Sequence, residues 1–248
     1  MLAEKRHAII LETVNRQKSV NLSELCQLLN TSESTIRRDL TILANMGKLV
    51  KVHGGAVSID DSFFNEESNV EEKSKLFTNE KIAIAKYSAS MIDSGDFIFI
   101  DAGTTTEKMI DYIPNKDVTF VTTGFINAKK LAQRGFKVYI PGGKIKLTTE
   151  AIVGAECVLS LKNYNFTKSF IGVNGISLTS GFSTPDVDEA KVKTAVIENS
   201  RTVYILADHS KFDKITSVTF AQLNKAQIVT DRLLDKKYLF KTNIKEVL

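Results

Sequence analysis

Ser32-Glu33-Ser34-Thr35-Ile36-Arg37-Arg38-Asp39-Leu40 contains a helix start and the two faces of the helix that follows. Thr31-Ser32 interrupts the apolar pattern before it, and Ser32 with Thr35 is suited to cap the new helix. Ile36, Leu40 and Leu43 recur at helical spacing and turn inward, so Ser34, Thr35, Arg38 and Thr41 face outward, with Arg37 on the flank. An outward face of hydroxyls and arginines suits the major groove of DNA. Arginine bonds guanine edges in bidentate fashion, and Ser or Thr contacts phosphates or bases.

The parts on either side give this helix its context. Upstream, Ala8, Ile9, Leu11 and Val14 form one face of a helix over Ala3 to Gln17. A short turn at Ser19-Val20-Asn21 leads into a second helix with Leu22, Leu25, Leu28 and Leu29, capped by Asn21 with Glu24 as its reciprocal partner. Downstream, Gly47 ends the third helix. Lys48-Leu49-Val50-Lys51-Val52-His53-Gly54-Gly55-Ala56-Val57 then reads as two β-prone runs around a Gly-Gly turn. That hairpin is a wing, whose Lys51 and His53 approach the DNA backbone or minor groove. An arginine pair alone would be a solvated helix face, but the order helix, helix, basic helix, glycine, hairpin defines a winged helix-turn-helix over residues 1–57. Its expected DNA-contacting residues are Ser32, Ser34, Thr35, Arg37, Arg38, Thr41, Lys51 and His53.

At 248 residues, 43% hydrophobic and 25% charged, the chain is long enough for two folded domains. Its net charge of +4 is concentrated at the front: residues 1–57 carry +3 and the rest +1. Asp60, Asp61, Glu66, Glu67, Glu71 and Glu72 precede Lys73 with no intervening cation, so residues 58–77 read as an acidic interdomain linker. No apolar run approaches the roughly 20 residues of a membrane span, and the N-terminus lacks a secretory signal pattern, giving an expected cytoplasmic location. Cys26 and Cys157 fit core packing, and the three histidines show no metal-ligand spacing, so neither a metal nor a cofactor is expected.

Beyond Thr78, helical and strand patterns alternate, which predicts an α/β domain over residues 78–248 with a sheet flanked by helices. The expected strands are Phe97–Asp101, Val118–Thr122, Lys137–Ile140, Ser169–Val173, Val203–Ala207 and a late Ile228–Thr230. Helices are expected over Asn79–Ile92, Thr105–Tyr112, Phe125–Gln133, Ala151–Leu161 and Asp188–Glu198. Phe97-Ile98-Phe99-Ile100-Asp101-Ala102-Gly103-Thr104-Thr105-Thr106 places a glycine and three hydroxyls between a strand and a helix, a source of donors for a phosphate. It is not a Walker loop, because the spacing and lysine of that motif are missing. Thr122-Thr123-Gly124, Pro141-Gly142-Gly143-Lys144 and Ala207-Asp208-His209-Ser210-Lys211 occupy similar strand ends, where open α/β sheets bind ligands.

The Thr-Ile-Arg-Arg-Asp-Leu run at 35–40, followed by Val52-His53-Gly54-Gly55-Ala56, resembles the DNA-binding signature of the DeoR family of transcriptional regulators. The phrases of the C-terminal part resemble that family's sensor domain. The resemblance is weakest in the acidic linker and the last twenty residues. It implies that residues 35–40 belong to the recognition helix, with Asp39 orienting a neighbouring arginine, and that the sensor is similar in fold to ribose-5-phosphate isomerase. It further implies a homodimer or homotetramer bound to double-stranded operator DNA, most often as a repressor of sugar catabolism, and a phosphorylated sugar or sugar-like effector. Carried onto this chain, Asp101, Gly103, Thr104, Thr105 and Thr106 would hold the phosphate or nearby hydroxyls. Gly142, Gly143, Lys144, Glu189, Lys193, Asp208 and Lys211 would line the pocket. The competing reading is an isomerase-like enzyme with an appended DNA-binding module. Where the isomerases carry an acid-rich turn, Gly172-Val173-Asn174-Gly175 has no carboxylate, so binding without turnover is expected. A protein-interaction module that no longer binds DNA is a third reading, and the outward Ser34, Thr35, Arg37 and Arg38 argue against it.

Overall fold

The computed structural model describes residues 2–17, 19–52, 54–58, 69–114 and 117–248. The chain divides into two compact units, residues 1–62 and 63–248.

The first unit contains α1 (Ala3–Gln17), β1 (Ser19–Asn21), α2 (Leu22–Leu29), α3 (Glu33–Asn45), β2 (Leu49–Val52) and β3 (Gly55–Ser58). Ile10, Val14, Leu25, Leu29, Ile36, Leu40 and Leu43 meet in one core, which the apolar stripes of the three helices dictate. The Asn21 side chain accepts from the Glu24 amide at 2.8 Å, and Glu24 accepts from the Asn21 amide at 3.1 Å, closing the capping box. Ser32 occupies the cap position of α3 without a capping bond; its hydroxyl lies 3.0 Å from those of Ser34 and Thr35 instead. Gly47 follows α3 at φ +66°, a conformation that costs glycine little.

Ser19-Val20-Asn21 is a strand and not a turn. It pairs antiparallel with β3, making the wing a three-stranded sheet in the order β1-β3-β2. Gly55 permits that pairing, since a Cβ there would lie 2.2 Å from the Val20 carbonyl oxygen.

The second unit is built from α4 (Val70–Lys75), α5 (Thr78–Ser90), β4 (Phe97–Ile100), α6 (Thr104–Ile110), β5 (Thr119–Thr122), α7 (Phe125–Gln133) and β6 (Lys137–Tyr139). A hairpin of β7 (Lys144–Lys146) and β8 (Ala151–Val153) then leads to α8 (Ala155–Leu161), β9 (Phe166–Gly172), β10 (Gly175–Ser177), β11 (Gly181–Thr184), α9 (Val187–Glu198) and β12 (Ser200–Leu206). The chain closes with β13 (Val218–Ala221), β14 (Gln227–Thr230) and β15 (Ile244–Glu246). Seven strands form one parallel sheet in the order β15-β14-β12-β9-β4-β5-β6. Apolar layers pack on the sheet: Phe99, Ile171, Ile205 and Ile228 belong to one, and Ile98, Ile100, Phe120 and Val229 to the other. Burial on both faces explains why these strands read as continuous apolar runs in the sequence.

The expected helix over Ala151–Leu161 is corrected to a strand, a glycine and a helix. Gly154 stands at φ +106°, which ends β8 and starts α8. The antiparallel sheet β10-β11-β13 and the strands β7 and β15 were not legible, because each is three or four residues long and lacks a period. Glu71 and Glu72, the end of the acidic stretch, lie in α4. Among the described residues no helix is long and apolar enough to cross a membrane.

Candidate functional sites

On the first unit, α3 turns Ile36, Leu40 and Leu43 into the core and leaves Ser32, Ser34, Arg37, Arg38 and Thr41 exposed, with Thr35 half-buried. Asp39 is buried as well and does not orient Arg37 or Arg38. Its carboxylate accepts from Arg6 at 3.0 Å and lies 3.0 Å from His7 Nε2, both on α1. Burial alone would raise its pKa, but Arg6 and His7 outweigh that and hold Asp39 below the usual range. Arg37 pairs with Glu33 at 3.2 Å along the helix, while Arg38 has no partner among the described residues. Lys51 on the wing donates to the Thr41 hydroxyl at 2.8 Å, and Thr41 in turn donates to the Arg37 carbonyl at 2.7 Å. This chain ties the wing to the basic face of α3. His53 lies outside the described residues.

In the second unit, β4 and β9 are neighbours whose following segments diverge to opposite halves of the sheet. Crevices at such switch points receive ligands in open α/β folds. A cleft of about 710 Å³, open mouth included, lies there. Gly103 to Thr106 line it after β4, Gly172 to Asn174 after β9, and Asp208 and Lys211 after β12. Glu189 and Lys193 reach it from α9, Lys81 from α5, and Val70 and Lys73 from α4.

The loop after β4 is held from within. Thr106 donates to the Asp101 and Gly103 carbonyls at 2.7 and 2.9 Å, and Asn127 donates to the Asp101 carbonyl at 2.8 Å. The hydroxyls of Thr104 and Thr105, both nearly buried, have no partner among the described residues. Asp101 is expected to hold the phosphate or nearby hydroxyls, and the structure gives it protein partners. Its carboxylate lies beside the cleft in a buried ion pair with Lys193 and accepts from the Gly172 amide at 2.9 Å. Burial pushes the Asp101 carboxyl upward, opposed by the Lys193 ammonium. Lys193 also donates to the Gly172 carbonyl at 3.1 Å, so this pair fastens α9 to the ends of β4 and β9.

Glu189 accepts from Thr149 at 2.6 Å, Lys146 at 3.2 Å and Thr184 at 3.4 Å. Burial would raise its pKa, yet Lys193, Thr149 and Lys146 hold it below the ordinary glutamate range. Asp208 accepts from the Ser210 amide at 3.0 Å. The next residue, His209, is fastened to Asp231 through its amide and Nδ1, each at 2.7 Å, which fixes the loop carrying Lys211.

Gly142, Gly143 and Lys144 do not line the cleft. Gly143 packs against the Val153 carbonyl, and exposed Lys144 pairs with Val153 in the hairpin, because this glycine turn follows β6, the edge strand of the sheet, and not the strands at the switch point. Residue types alone did not single out Lys81, Lys73, Val70, Asn174, Thr149 and Lys146. Lys81 left one signal: it shares a helical face with Ile84, Ala85, Ser88 and Ala89, all buried. A lysine on an apolar face needs a reason to be there. Among the described residues no group of His, Cys, Asp and Glu is placed to hold a metal.

A winged helix-turn-helix joined to a parallel α/β unit with a polar cleft at its switch point is the architecture of a DNA-binding transcriptional regulator with a sensor domain. Residues 6–62 match the family described as DeoR-like helix-turn-helix domain, and residues 76–232 match the DeoR C terminal sensor domain. The chain belongs to the DeoR family. It is 40% identical over 251 residues to the "Uncharacterized HTH-type transcriptional regulator FruR" of Bacillus subtilis (strain 168), covering 100% of this chain and 99% of that protein. It is 34% identical over 223 residues to the lactose phosphotransferase system repressor of Staphylococcus aureus (strain NCTC 8325 / PS 47), covering 89% of this chain and 88% of that one. Among solved structures, ribose 5-phosphate isomerase A from Methanocaldococcus jannaschii is similar over 54% of each chain, at 17% identity and a TM-score of 0.41.

Proposed function

We propose that this regulator is a repressor of a sugar-catabolic operon and that a phosphorylated sugar or sugar-like metabolite in the cleft controls its hold on operator DNA. The observation that carries the reading is the composition of one cleft. It presents hydroxyls at Thr104 and Thr105 that have no partner among the described residues, cations at Lys73, Lys81 and Lys211, and carboxylate and amide groups at Glu189, Asp208 and Asn174. Cations and hydroxyls suit a phosphate; carboxylates and an amide suit sugar hydroxyls. The similarity to the lactose phosphotransferase system repressor of Staphylococcus aureus points the same way. Ser32, Ser34, Thr35, Arg37, Arg38, Thr41, Lys51 and His53 are the proposed DNA-contacting residues. Two copies of α3 on repeated half-sites would read the operator as a homodimer or homotetramer.

The cleft binds without turnover. Isomerisation needs a carboxylate ready to take a proton from carbon, and Glu189 is engaged by three donors that lower its basicity. Slow conversion of a bound sugar phosphate, seen by mass spectrometry and abolished in Glu189→Gln, would overturn this.

The test of function is binding of the purified protein to its own upstream DNA at fixed salt, with a panel of sugar phosphates and their unphosphorylated parents. Release by one phosphorylated compound and not by its parent is the expected outcome. DNA binding indifferent to every compound would refute the effector assignment.

A further inference from the structure

We propose that β6, one edge of the parallel sheet, pairs antiparallel with β6 of a second copy of this chain, centred on Val138, and that the apolar side chains around it form the interface. This rests on the homo-oligomer proposed above and gives it a surface.

β6 has β5 on one side and, among the described residues, no strand on the other. An open edge presents a row of backbone donors and acceptors that a further strand completes. The side chains of β6 suit a copy of itself. In an antiparallel pair centred on Val138, Val138 faces the partner's Val138, and Lys137 faces the partner's Tyr139, twice over, as a two-fold axis requires. Lys137 already stands over the Tyr139 ring of its own strand, with Nζ 5.5 Å from the centroid. The paired strands therefore set ammonium groups beside ring faces, with no like charges directly opposed. The opposite edge of the sheet, β15, fails the same test. Paired about its centre, Ile244-Lys245-Glu246 sets an ammonium against its own copy and an isoleucine against a glutamate.

The surface beside β6 is apolar. Tyr139 lies opposite Val121 in β5 and Ile145 opposite Ile152 in β8, so both extend the layer to which Val121 and Ile152 belong. That layer also holds Cys157 and Leu161 of α8, and Leu159 of the same helix is exposed. Here the layer runs out into solvent: Tyr139, Ile140, Ile145 and Leu159 are 42%, 46%, 50% and 63% exposed. Taking about 200 Å² for a large side chain, these residues present on the order of 400 Å². A standard interface takes about 800 Å² from each partner, somewhat over half of it apolar, so the patch is of the size a stable dimer needs. A second exposed pair, Leu239 and Phe240, borders a groove lined by Arg201, Lys225 and Lys241 and by no carboxylate. A two-fold contact there would oppose like charges.

The experiment measures the mass of the full-length protein by analytical ultracentrifugation at micromolar concentration. The variants are Tyr139→Asp combined with Ile145→Asp and, on the second patch, Phe240→Asp. The substituted side chains are exposed in the single chain, so the variants should fold, and thermal melting checks this. The wild type is expected to sediment as an oligomer, the double variant at half that mass, and Phe240→Asp unchanged. Val138→Cys tests the register. Directly opposed residues of an antiparallel pair have Cα atoms about 4.5–5.5 Å apart, within reach of a disulfide. Under a mild oxidant it should give a covalent dimer on non-reducing electrophoresis. The wild type, with Cys26 half-buried and Cys157 buried, and Lys129→Cys on α7 should not. An oligomer that survives the double substitution, one that dissociates in Phe240→Asp instead, or no covalent dimer from Val138→Cys would overturn the proposal and leave the reading of the cleft intact. A monomeric wild type would overturn this pairing together with the homo-oligomer.

Discussion

Arg6 on the first helix donates to the carboxylate of Asp39 on the third at 3.0 Å, so the helix proposed to read DNA is tied through its buried side to the N-terminal helix. Asp39 lies inside a Thr-Ile-Arg-Arg-Asp-Leu run that reads as a DNA-contacting segment, yet its work is architectural. Its partners hold its pKa below the unfolded value. It therefore contributes stability above about pH 4 that is lost as pH falls through the folded pKa. Asp39→Asn should lower the melting temperature of the helix-turn-helix unit by several degrees at pH 7, with a smaller deficit near pH 3. Circular dichroism melts at both pH values measure it. An equal deficit at the two would show that the charge is not what matters.

Arg38 and Arg37 should differ. Arg38 is unpaired among the described residues, whereas Arg37 is engaged by Glu33. Arg38→Ala is expected to weaken operator binding by about 1–3 kcal/mol and relax preference at one base pair. Arg37→Ala should lose less and keep sequence preference. Fluorescence anisotropy on operator and scrambled duplexes separates the two; identical losses on both duplexes for Arg38→Ala would remove it from base readout.

Lys51 should behave as a backbone contact. Lys51→Met is expected to weaken binding about equally on all sequences and reduce the salt slope of log K by about one. An unchanged slope would mean that Lys51 serves only to position Thr41.

The Lys193–Asp101 pair holds the cleft together, and breaking one side of a buried pair costs about 3–5 kcal/mol. Lys193→Met should therefore destabilise the sensor unit in urea by that order. Asp101→Asn in the same chain should recover much of it, because no uncompensated charge is left buried. A double variant as unstable as the single one would show that shape, not charge, accounts for the loss.

Effector binding should depend on pH through Lys81. With a free-state pKa of about 8, the charged form dominates below that value. An anion favours the charged form, so binding takes up a proton above it, and affinity falls as pH rises past 8. Among the described residues, the charged groups that act on Lys81 are Asp208, Lys211, Lys108 and Lys73. Calorimetry with inorganic phosphate from pH 7 to 9 checks this: Lys81→Met should flatten the decline, and an equally steep decline would assign it elsewhere.

The front unit was legible almost in full from local chemistry. The helices, the Asn21–Glu24 capping box, Gly47 and the Gly54-Gly55 turn act over a few residues, and each leaves its own mark in sequence. So do the long apolar strands of the parallel sheet and the hydroxyl loop after β4. Tertiary structure alone decided which distant residues meet. It made a strand of Ser19-Val20-Asn21, because β3 supplied the partner, and it turned Asp39 toward Arg6. It placed Gly142-Gly143-Lys144 away from the cleft and brought Lys73 and Lys81 into it. The physical reason is the same in each case. Periodicity reports whether a side chain is buried, whereas the partner it meets depends on sheet order and helix packing, which bring together residues as far apart in sequence as Asp101 and Lys193.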